Sequence, residues 1–501
     1  MSYLGIDLGT TSLKAVLVSV SGEVLREGTA SYAMQHPYPG AAVQDPEHWW
    51  RATRDAVQQI QNGIGAEINA IGLSGQMHGT VCLNSMRQLI RPALIWPDTR
   101  GTITAAELTA VVGEMRLSDT IGTPLASGFQ GVTVAWLRQH EPTTWRSIAT
   151  VLLPKDYLRF RLTGEIATDP SDAAGTGMLD VPTRDWSDLM LDTVGLDRGK
   201  VPAIRPSAQI AGRLTSEAAE YLGLPVGLPV VTGGGDAPLA ALASGVADGR
   251  SLLATLSSGA QVIAFTDHPA DDPRLRVHTF AAPLDPTKDE AGWYVMGATM
   301  VAGMALSWLK ENIFESSSDQ AITSMVQRAS EISPGSNGLL FAPYLTGERT
   351  PHLDSRARGA FLGLTADHDR RHLTRAAMEG VVFALRDALD VVRSLTRTGH
   401  DVVLAGGGSR SPLWRQIMAD IFEMPVRPSL IVDQSAIGAA LLAAACDLGT
   451  TASSLGKEWA RFDRSVEPVP ANMIRYEELR GIFRDIYPAH AAHFHRLSEF
   501  D

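Results

Sequence analysis

Asp7-Leu8-Gly9-Thr10-Thr11-Ser12 puts a carboxylate, a glycine and three hydroxyls into six residues, with Lys14 just beyond. Gly9 lets backbone amides come close to a ligand, and Thr10, Thr11 and Ser12 add hydroxyl donors. Asp7 could hold magnesium through water, since that ion takes few carboxylates and keeps much of its hydration shell. The same six residues would also serve as a plain hairpin turn with a capping Asp, and the segment by itself leaves both readings open. No Gly-x-x-x-x-Gly-Lys-Ser/Thr occurs, so this is not a P-loop.

Three further segments share this character. Gly233-Gly234-Gly235-Asp236 delivers a carboxylate to the start of a helix. The helix dipole favours its ionised form there, so it could accept a proton; it could equally be a helix N-cap and no more. Gly406-Gly407-Gly408-Ser409-Arg410-Ser411 is a glycine-rich strand-to-helix turn, a common resting place for a nucleotide, although such turns also arise for steric reasons. Gln76-Met77-His78-Gly79, with Trp96-Pro97-Asp98 downstream, offers groups that could hydrogen-bond and stack on a polyhydroxylated ligand. A histidine at a strand end and a tryptophan are also ordinary structural residues.

The elements that must carry these segments alternate between strand and helix. Tyr3 to Asp7, Leu13 to Val20 and Glu23 to Thr29 read as an antiparallel meander with Ser21-Gly22 as a turn. Asp45-Pro46 opens a helix that runs through Trp49 to Ile60, and Ile68 to Ser74 is the next strand. A second cycle starts mid-chain: strand Leu228 to Thr232, a tight turn at 233–236, and helix Pro238 to Ser244. Strands Ser251 to Leu256 and Gln261 to Phe265 follow, joined by Ser257-Ser258-Gly259-Ala260. That strand–turn–strand echoes the N-terminus and implies two halves joined near residue 246. Strand Asp401 to Ala405 and helix Pro412 to Phe422 flank the third glycine turn. Each polar turn thus follows a strand end, where open α/β sheets bind ligands.

Bulk properties narrow the class. At roughly 100–200 residues per domain, a chain of 501 residues implies two or three domains. Hydrophobic residues at 45% and charged residues at 20% are ordinary for a globular protein. A net charge of −12 argues against sequence-independent nucleic-acid binding. The two cysteines, Cys82 and Cys446, are far apart, so neither a disulfide framework nor a zinc site is expected. From the strand-like Tyr3-Leu4-Gly5-Ile6, with no basic segment and apolar run before it, no signal peptide is expected. The longest apolar helical stretch, Ala436 to Cys446, falls short of the ~20 residues of a membrane span. A cytoplasmic protein is expected.

Taken together, the chain resembles the FGGY family of carbohydrate kinases, and within it most closely the branch acting on D-xylulose. The resemblance runs from Tyr3 to about Gly449. It rests on the segments above and on Gln44-Asp45-Pro46 with Trp49-Trp50, Leu153-Pro154-Lys155-Asp156-Tyr157 and Ser171-Asp172-Ala173-Ala174-Gly175-Thr176. Further matches are Pro343-Tyr344-Leu345-Thr346-Gly347-Glu348-Arg349-Thr350-Pro351, Gly359 to Leu364, and His372-Leu373 with Ala376-Ala377-Met378-Glu379. It implies an α/β, actin-like ATPase fold of two ribonuclease-H-like domains with an interdomain cleft: residues 1–245 mainly for sugar, 246–501 mainly for ATP. It implies ATP and Mg2+ as cofactors and phosphorylation of a small ketose, D-xylulose to D-xylulose 5-phosphate. Asp236 is then the general base; Gln76, Met77, His78, Trp96 and Asp98 contact sugar; Asp7 and Asp236 serve the metal. Gly9, Thr10, Thr11, Ser12, Ser258, Gly259, Gly407, Gly408 and Ser409 hold the nucleotide.

Three positions depart from the family pattern: Ala237 replaces the usual Asn or Gln after the catalytic Asp, Ser257-Ser258-Gly259 replaces Gly-Thr-Ser or Gly-Thr-Thr, and Thr133 replaces a Lys. Another ketose or an alditol as substrate, or an actin-like ATPase with a regulatory or assembly role, remain alternatives. The expected partner is a small sugar, not nucleic acid or membrane, and a homodimer stays open.

Overall fold

The computed structural model describes residues 1–61, 67–318, 320–396 and 399–500. The chain forms two compact units. One comprises Met1–Asp248, Phe265–Tyr294 and Ile431–Ala460; the other comprises Gly249–Ala264, Val295–Leu430 and Arg461–Asp501.

The first unit is built on a sheet with seven strands among the described residues. β1 (Ser2–Leu8), β2 (Ser12–Ser19) and β3 (Val24–Ser31) form the antiparallel meander. β1 is buried along nearly its whole length, which is why it reads as an apolar run without alternation. α1 (Pro46–Gln61) begins where Asp45-Pro46 indicates, with the Asp45 carboxylate accepting from the Glu47 amide at 3.0 Å. β4 (Ile68–Gly75) runs parallel to β1. After α2 (Pro154–Thr163), β5 (Ile210–Arg213) and β6 (Pro229–Val231) extend the sheet beyond β4.

The glycine segment differs from the expected tight turn. Gly233 has φ of +86° and passes so close to β4 that a Cβ would lie 2.3 Å from the Leu73 carbonyl oxygen. This left-handed step, which glycine alone takes without strain, lets the chain rejoin the sheet as β7 (Gly234–Gly235), parallel to the end of β4. α3 (Asp236–Ala243) therefore starts two residues earlier than expected, with Asp236 as its first residue.

The second unit repeats the plan. β8 (Ser251–Leu256) and β9 (Ala260–Thr266) make an antiparallel hairpin, β10 (Asp401–Ala405) lies parallel on the other side of β8, and β11 (Val426–Pro428) lies parallel to β10. α4 (Pro412–Phe422) joins the last two strands, its first turn capped by Ser411 Oγ, which accepts from the Trp414 amide at 3.2 Å.

The chain then returns to the first unit as α5 (Gln434–Leu448), which packs on β1 and β4. The approach is at backbone contact: a Cβ on Gly5 would lie 1.9 Å from the Ala436 carbonyl oxygen, and one on Gly72 would lie 1.8 Å from that of Ala439. Among the described residues no helix is long and apolar enough to cross a membrane.

Gly72→Ala must therefore displace α5 or bend β4. Overpacking of this kind costs about 1–3 kcal/mol and occasionally more. A clear fall in the thermal midpoint of the purified variant is expected; an unchanged midpoint would show that α5 is not seated on the sheet in this way.

Candidate functional site

β4 organises the site of the first unit. Its Ser74 is in register with Asp7 of β1 on one side and with Gly234 of β7 on the other. The three strands are parallel, so Asp7, the segment Gln76–His78 and Asp236 all leave the sheet at its carboxyl edge, the ligand-binding edge of open α/β sheets.

The Gly9–Ser12 turn is held from outside by the side chains of Tyr32, Gln44 and Trp96, with a longer bond of 3.5 Å from Gln76 Nε2 to the Gly9 carbonyl. Tyr32 donates its hydroxyl to the Gly9 carbonyl at 2.5 Å, Gln44 Nε2 donates to the Thr10 carbonyl at 2.6 Å, and Trp96 Nε1 donates to Thr10 Oγ1 at 2.9 Å. Thr11 remains exposed and Ser12 half-buried.

Asp7 and Asp236 keep part of their surface open but are densely surrounded. Burial pushes Asp236 up to about 7 and the charge of Asp7 adds to the rise, against the Ala237 amide, which donates to Oδ1 at 2.7 Å. Asp236 thus stands at the first position of its helix, where Gly235 is the N-cap, accepts the next residue's amide with one oxygen and is held near neutral titration. Burial likewise pushes Asp7 up to about 6, opposed by Lys14, which is ion-paired with Asp433. Asp7 Oδ1 is buried and has no hydrogen-bond partner among the described residues. Two mutually repelling carboxylates, one with an unsatisfied oxygen, fit a magnesium ion, which takes oxygen ligands. Among the described residues no group of three or more His, Cys, Asp or Glu could hold a metal, so most of its shell would come from water and ligand oxygens.

The residues singled out downstream fall into two sets. Met77 packs against Gly235, next to Asp236, where a Cβ would come within 2.9 Å of its sulfur; the Tyr294 hydroxyl lies 4.0 Å from that sulfur. His78 adopts φ of 76° and stacks on Phe129, with centroids 4.3 Å apart and planes within 3°. Its Nδ1 lies 2.5 Å from the Gly175 carbonyl oxygen, which can only accept, so Nδ1 carries the hydrogen and Nε2 the lone pair of the neutral ring. Trp96 is 44% exposed and is not a core residue. Gln76 and Asp98, by contrast, are buried and bonded to protein. Gln76 Nε2 donates to Gln44 Oε1 at 3.0 Å. The Asp98 carboxylate takes the Ala42 amide at 3.0 Å and Arg100 Nη2 at 2.6 Å.

In the second unit the turns after β8 and β10 border one cavity of about 900 Å3, lined by Ser257, Ser258, Gly407, Gly408 and Arg410 among others. The Ser257 and Ser258 carbonyls accept the amides of Gly303 and Ala302, both at 2.7 Å, which fixes the altered turn while its side chains stay exposed. Gly259 completes that turn, and its own carbonyl accepts the Ser257 amide at 2.9 Å. Ser409 is buried and donates its hydroxyl to the Gly406 carbonyl at 2.7 Å, so it shapes the loop whose neighbours Arg410 and Ser411 form the wall.

Residues 2–243 match the N-terminal domain, and residues 255–446 the C-terminal domain, of the FGGY family of carbohydrate kinases. The chain belongs to that family. It is 39% identical over 421 residues to the xylulose kinase of Escherichia coli (strain K12), covering 84% of each chain. Among solved structures it is similar to the xylulose kinase of Rhodospirillum rubrum, with a TM-score of 0.92, 28% identity and coverage of 99% of this chain and 100% of that one. The gluconate kinase of Lactobacillus acidophilus has a TM-score of 0.93 at 25% identity, with 99% of each chain covered. The protein is thus a carbohydrate kinase that uses ATP, with the two-domain, actin-like and ribonuclease-H-like fold that its motifs imply.

Several residues that shape this FGGY kinase site escaped notice as site residues in the sequence. Gln44 lies in a segment matched to the family, yet its contact with the Gly9–Ser12 turn spans 34 positions. Phe129, Gly175 and Tyr294 reach Met77 and His78 from far along the chain, as Gly303 and Gln327 reach the cavity of the second unit. Thr133 is buried within the helix Gln130–His140, and nothing in the structure explains its departure from the family pattern.

The raised titration of Asp236 has a consequence for stability. A carboxyl whose folded-state value lies above its unfolded one binds more protons when folded, so its stabilisation is complete at low pH and is lost as pH rises toward about 7. Asp236→Asn, which keeps an acceptor for the Ala237 amide, should melt above the wild type at pH 8 in chelator-treated protein. The gain should shrink toward pH 4. A lower melting point at pH 8 would show that the Asp236 charge is not destabilising.

Proposed function

We propose that this kinase transfers the γ-phosphoryl group of ATP to D-xylulose, with Asp236 as the general base. The observation that carries the reading is the placement of Asp236: a carboxylate fixed by the glycine step at the carboxyl edge of β4, against Met77 and on the same edge as Asp7. Its titration near 7 suits a group that must accept a proton at neutral pH. The Escherichia coli relative, a xylulose kinase, supports the choice of sugar.

In this reading the sugar lies over Met77, His78 and Trp96. The His78 ring faces one hydroxyl, and the exposed Trp96 ring covers an apolar face. Gln76 and Asp98 brace the loops behind them. Asp236 takes the proton of the attacking hydroxyl as its oxygen bonds to phosphorus and the bond to the ADP oxygen breaks. Ser258, Gly259, Gly407 and Gly408 of the second unit hold the nucleotide, with Ser409 shaping its loop. Asp7 and Asp236 would hold Mg2+, which when bound supplies positive charge to the phosphate oxygens. Positioning and electrostatics supply most of the rate.

Asp236→Asn keeps the shape and loses the base. It should reduce phosphorylation by about 10²–10⁴-fold and leave ATP affinity within a few fold, read by coupled ADP release. Turnover above a tenth of normal would remove Asp236 as the general base. The same assay across D-xylulose, D-ribulose, glycerol and D-gluconate tests the sugar: D-xylulose should give the highest kcat/KM, and activity confined to another sugar would overturn the assignment.

Ala237, half-buried beside the base, offers a sugar hydroxyl no hydrogen bond. Such a bond is worth about 2- to 13-fold in affinity. Ala237→Asn is therefore expected to hold or raise kcat/KM for D-xylulose, and a marked fall would point to a site built for something else.

A further inference from the structure

Behind the glycine segment lies a buried ionic cluster for which the mechanism above has no use. Lys155, Asp156 and Arg159 come from α2, and Asp169, Ser171 and Asp172 from the turn and short helix near Pro170; all six are buried. Lys155 Nζ lies 2.7 Å from Asp156 Oδ1, 3.0 Å from Asp169 Oδ1 and 3.7 Å from Asp172 Oδ2, and Arg159 Nη1 lies 2.9 Å from Asp156 Oδ1. Burial pushes Asp172 well above the usual carboxylate range, toward its neutral form. Concentrating so many charges out of water is expensive and does not by itself stabilise a fold.

The polar atoms of this cluster converge on the segment that presents Asp236. Arg159 Nη1 donates to the Thr232 carbonyl at 2.9 Å, and Lys155 Nζ donates to the same oxygen at 3.4 Å. At the other end, Ser171 Oγ accepts from the Gly235 amide at 3.1 Å and donates to Asp169 Oδ2 at 2.5 Å. The bonds thus grip the chain immediately before and after Gly233-Gly234. Glycines have the widest conformational freedom of any residue, so a base carried on three of them needs external restraint to hold one place.

We propose that this cluster is a clamp on residues 232–235, in which Ser171, anchored through Asp169 to Lys155, is a positioning residue that sets where the Asp236 carboxylate stands. The inference rests on the reading of Asp236 as the base. A misplacement of about 1 Å can cost on the order of 10²-fold in rate, so the clamp should show in kcat and leave KM largely alone.

The test compares two serines that both donate to Asp169 Oδ2, Ser171 at 2.5 Å and Ser207 at 2.9 Å; Ser171 meets residues 232–235 through its side chain, whereas Ser207 meets them through its main-chain carbonyl, which accepts the Gly233 amide at 3.0 Å and survives substitution by Ala. Ser171→Ala should lower kcat about 10- to 100-fold, with KM for ATP and sugar within about threefold. Ser171→Cys, which keeps a weak acceptor, should recover part of the loss. Ser207→Ala should lower the melting point but change kcat by less than about threefold. In an Asp236→Asn background, adding Ser171→Ala should lower the residual turnover by less than about threefold, because the group being positioned is already gone. A full additional loss in that background, or an equal kcat loss in Ser207→Ala, would overturn the clamp. An inactive Asp236→Asn beside a near-normal Ser171→Ala would overturn the clamp and leave the base standing. An active Asp236→Asn would overturn the base itself.

Discussion

The site of the first unit depends on the register of one strand. Because Ser74 of β4 pairs with Asp7 on one side and Gly234 on the other, two carboxylates that are 229 residues apart in the sequence reach the same edge of one sheet. Parallel pairing makes the arrangement strict. A slip of one residue would turn each side chain to the opposite face, taking Asp7 away from Asp236. The burial that raises both carboxyls, and the charge of Asp7 that adds to the rise at Asp236, follow from that register.

Glycine is what makes the register compatible with close packing. At Gly5 and Gly72 its missing Cβ admits α5 onto β1 and β4, and at Gly233 its left-handed conformation returns the chain to the end of β4. The same freedom leaves the segment before Asp236 poorly constrained by its own backbone. The buried charges around Lys155 supply restraint from neighbouring elements, and this gives a structural reason for placing ions where water is excluded.

Local features of both fold and site were legible in the sequence because they are local. The hairpin around Gly9, the Asp45-Pro46 helix start, the strand before Gln76 and the glycine turn after Ala405 each announce themselves within about ten residues, and the repeated strand–turn–strand marks the second unit. The seating of α5 on the first sheet was not legible, since more than 350 residues separate Gly72 from Ala439 and nothing in either segment specifies the other. The tight turn expected at 233–236 became a kink and a strand because strand pairing with β4, invisible locally, decided its conformation. Trp96, Gln76, Asp98 and Ser409 are alike as polar or aromatic loop residues. Only burial separates the exposed Trp96 ring from the side chains of Gln76, Asp98 and Ser409, which are bonded to Gln44, Arg100 and the Gly406 carbonyl.

The geometry at Asp236 is open to direct observation. A crystal structure of the protein with D-xylulose and a non-hydrolysable ATP analogue would give the distance from the Asp236 carboxylate to each sugar hydroxyl. With Asp236 as the base, one hydroxyl oxygen lies about 2.6–3.2 Å from it, with the terminal phosphorus on the far side of that oxygen. A sugar bound in register for transfer but with Asp236 turned away, and another group within reach of the attacking hydroxyl, would contradict the assignment.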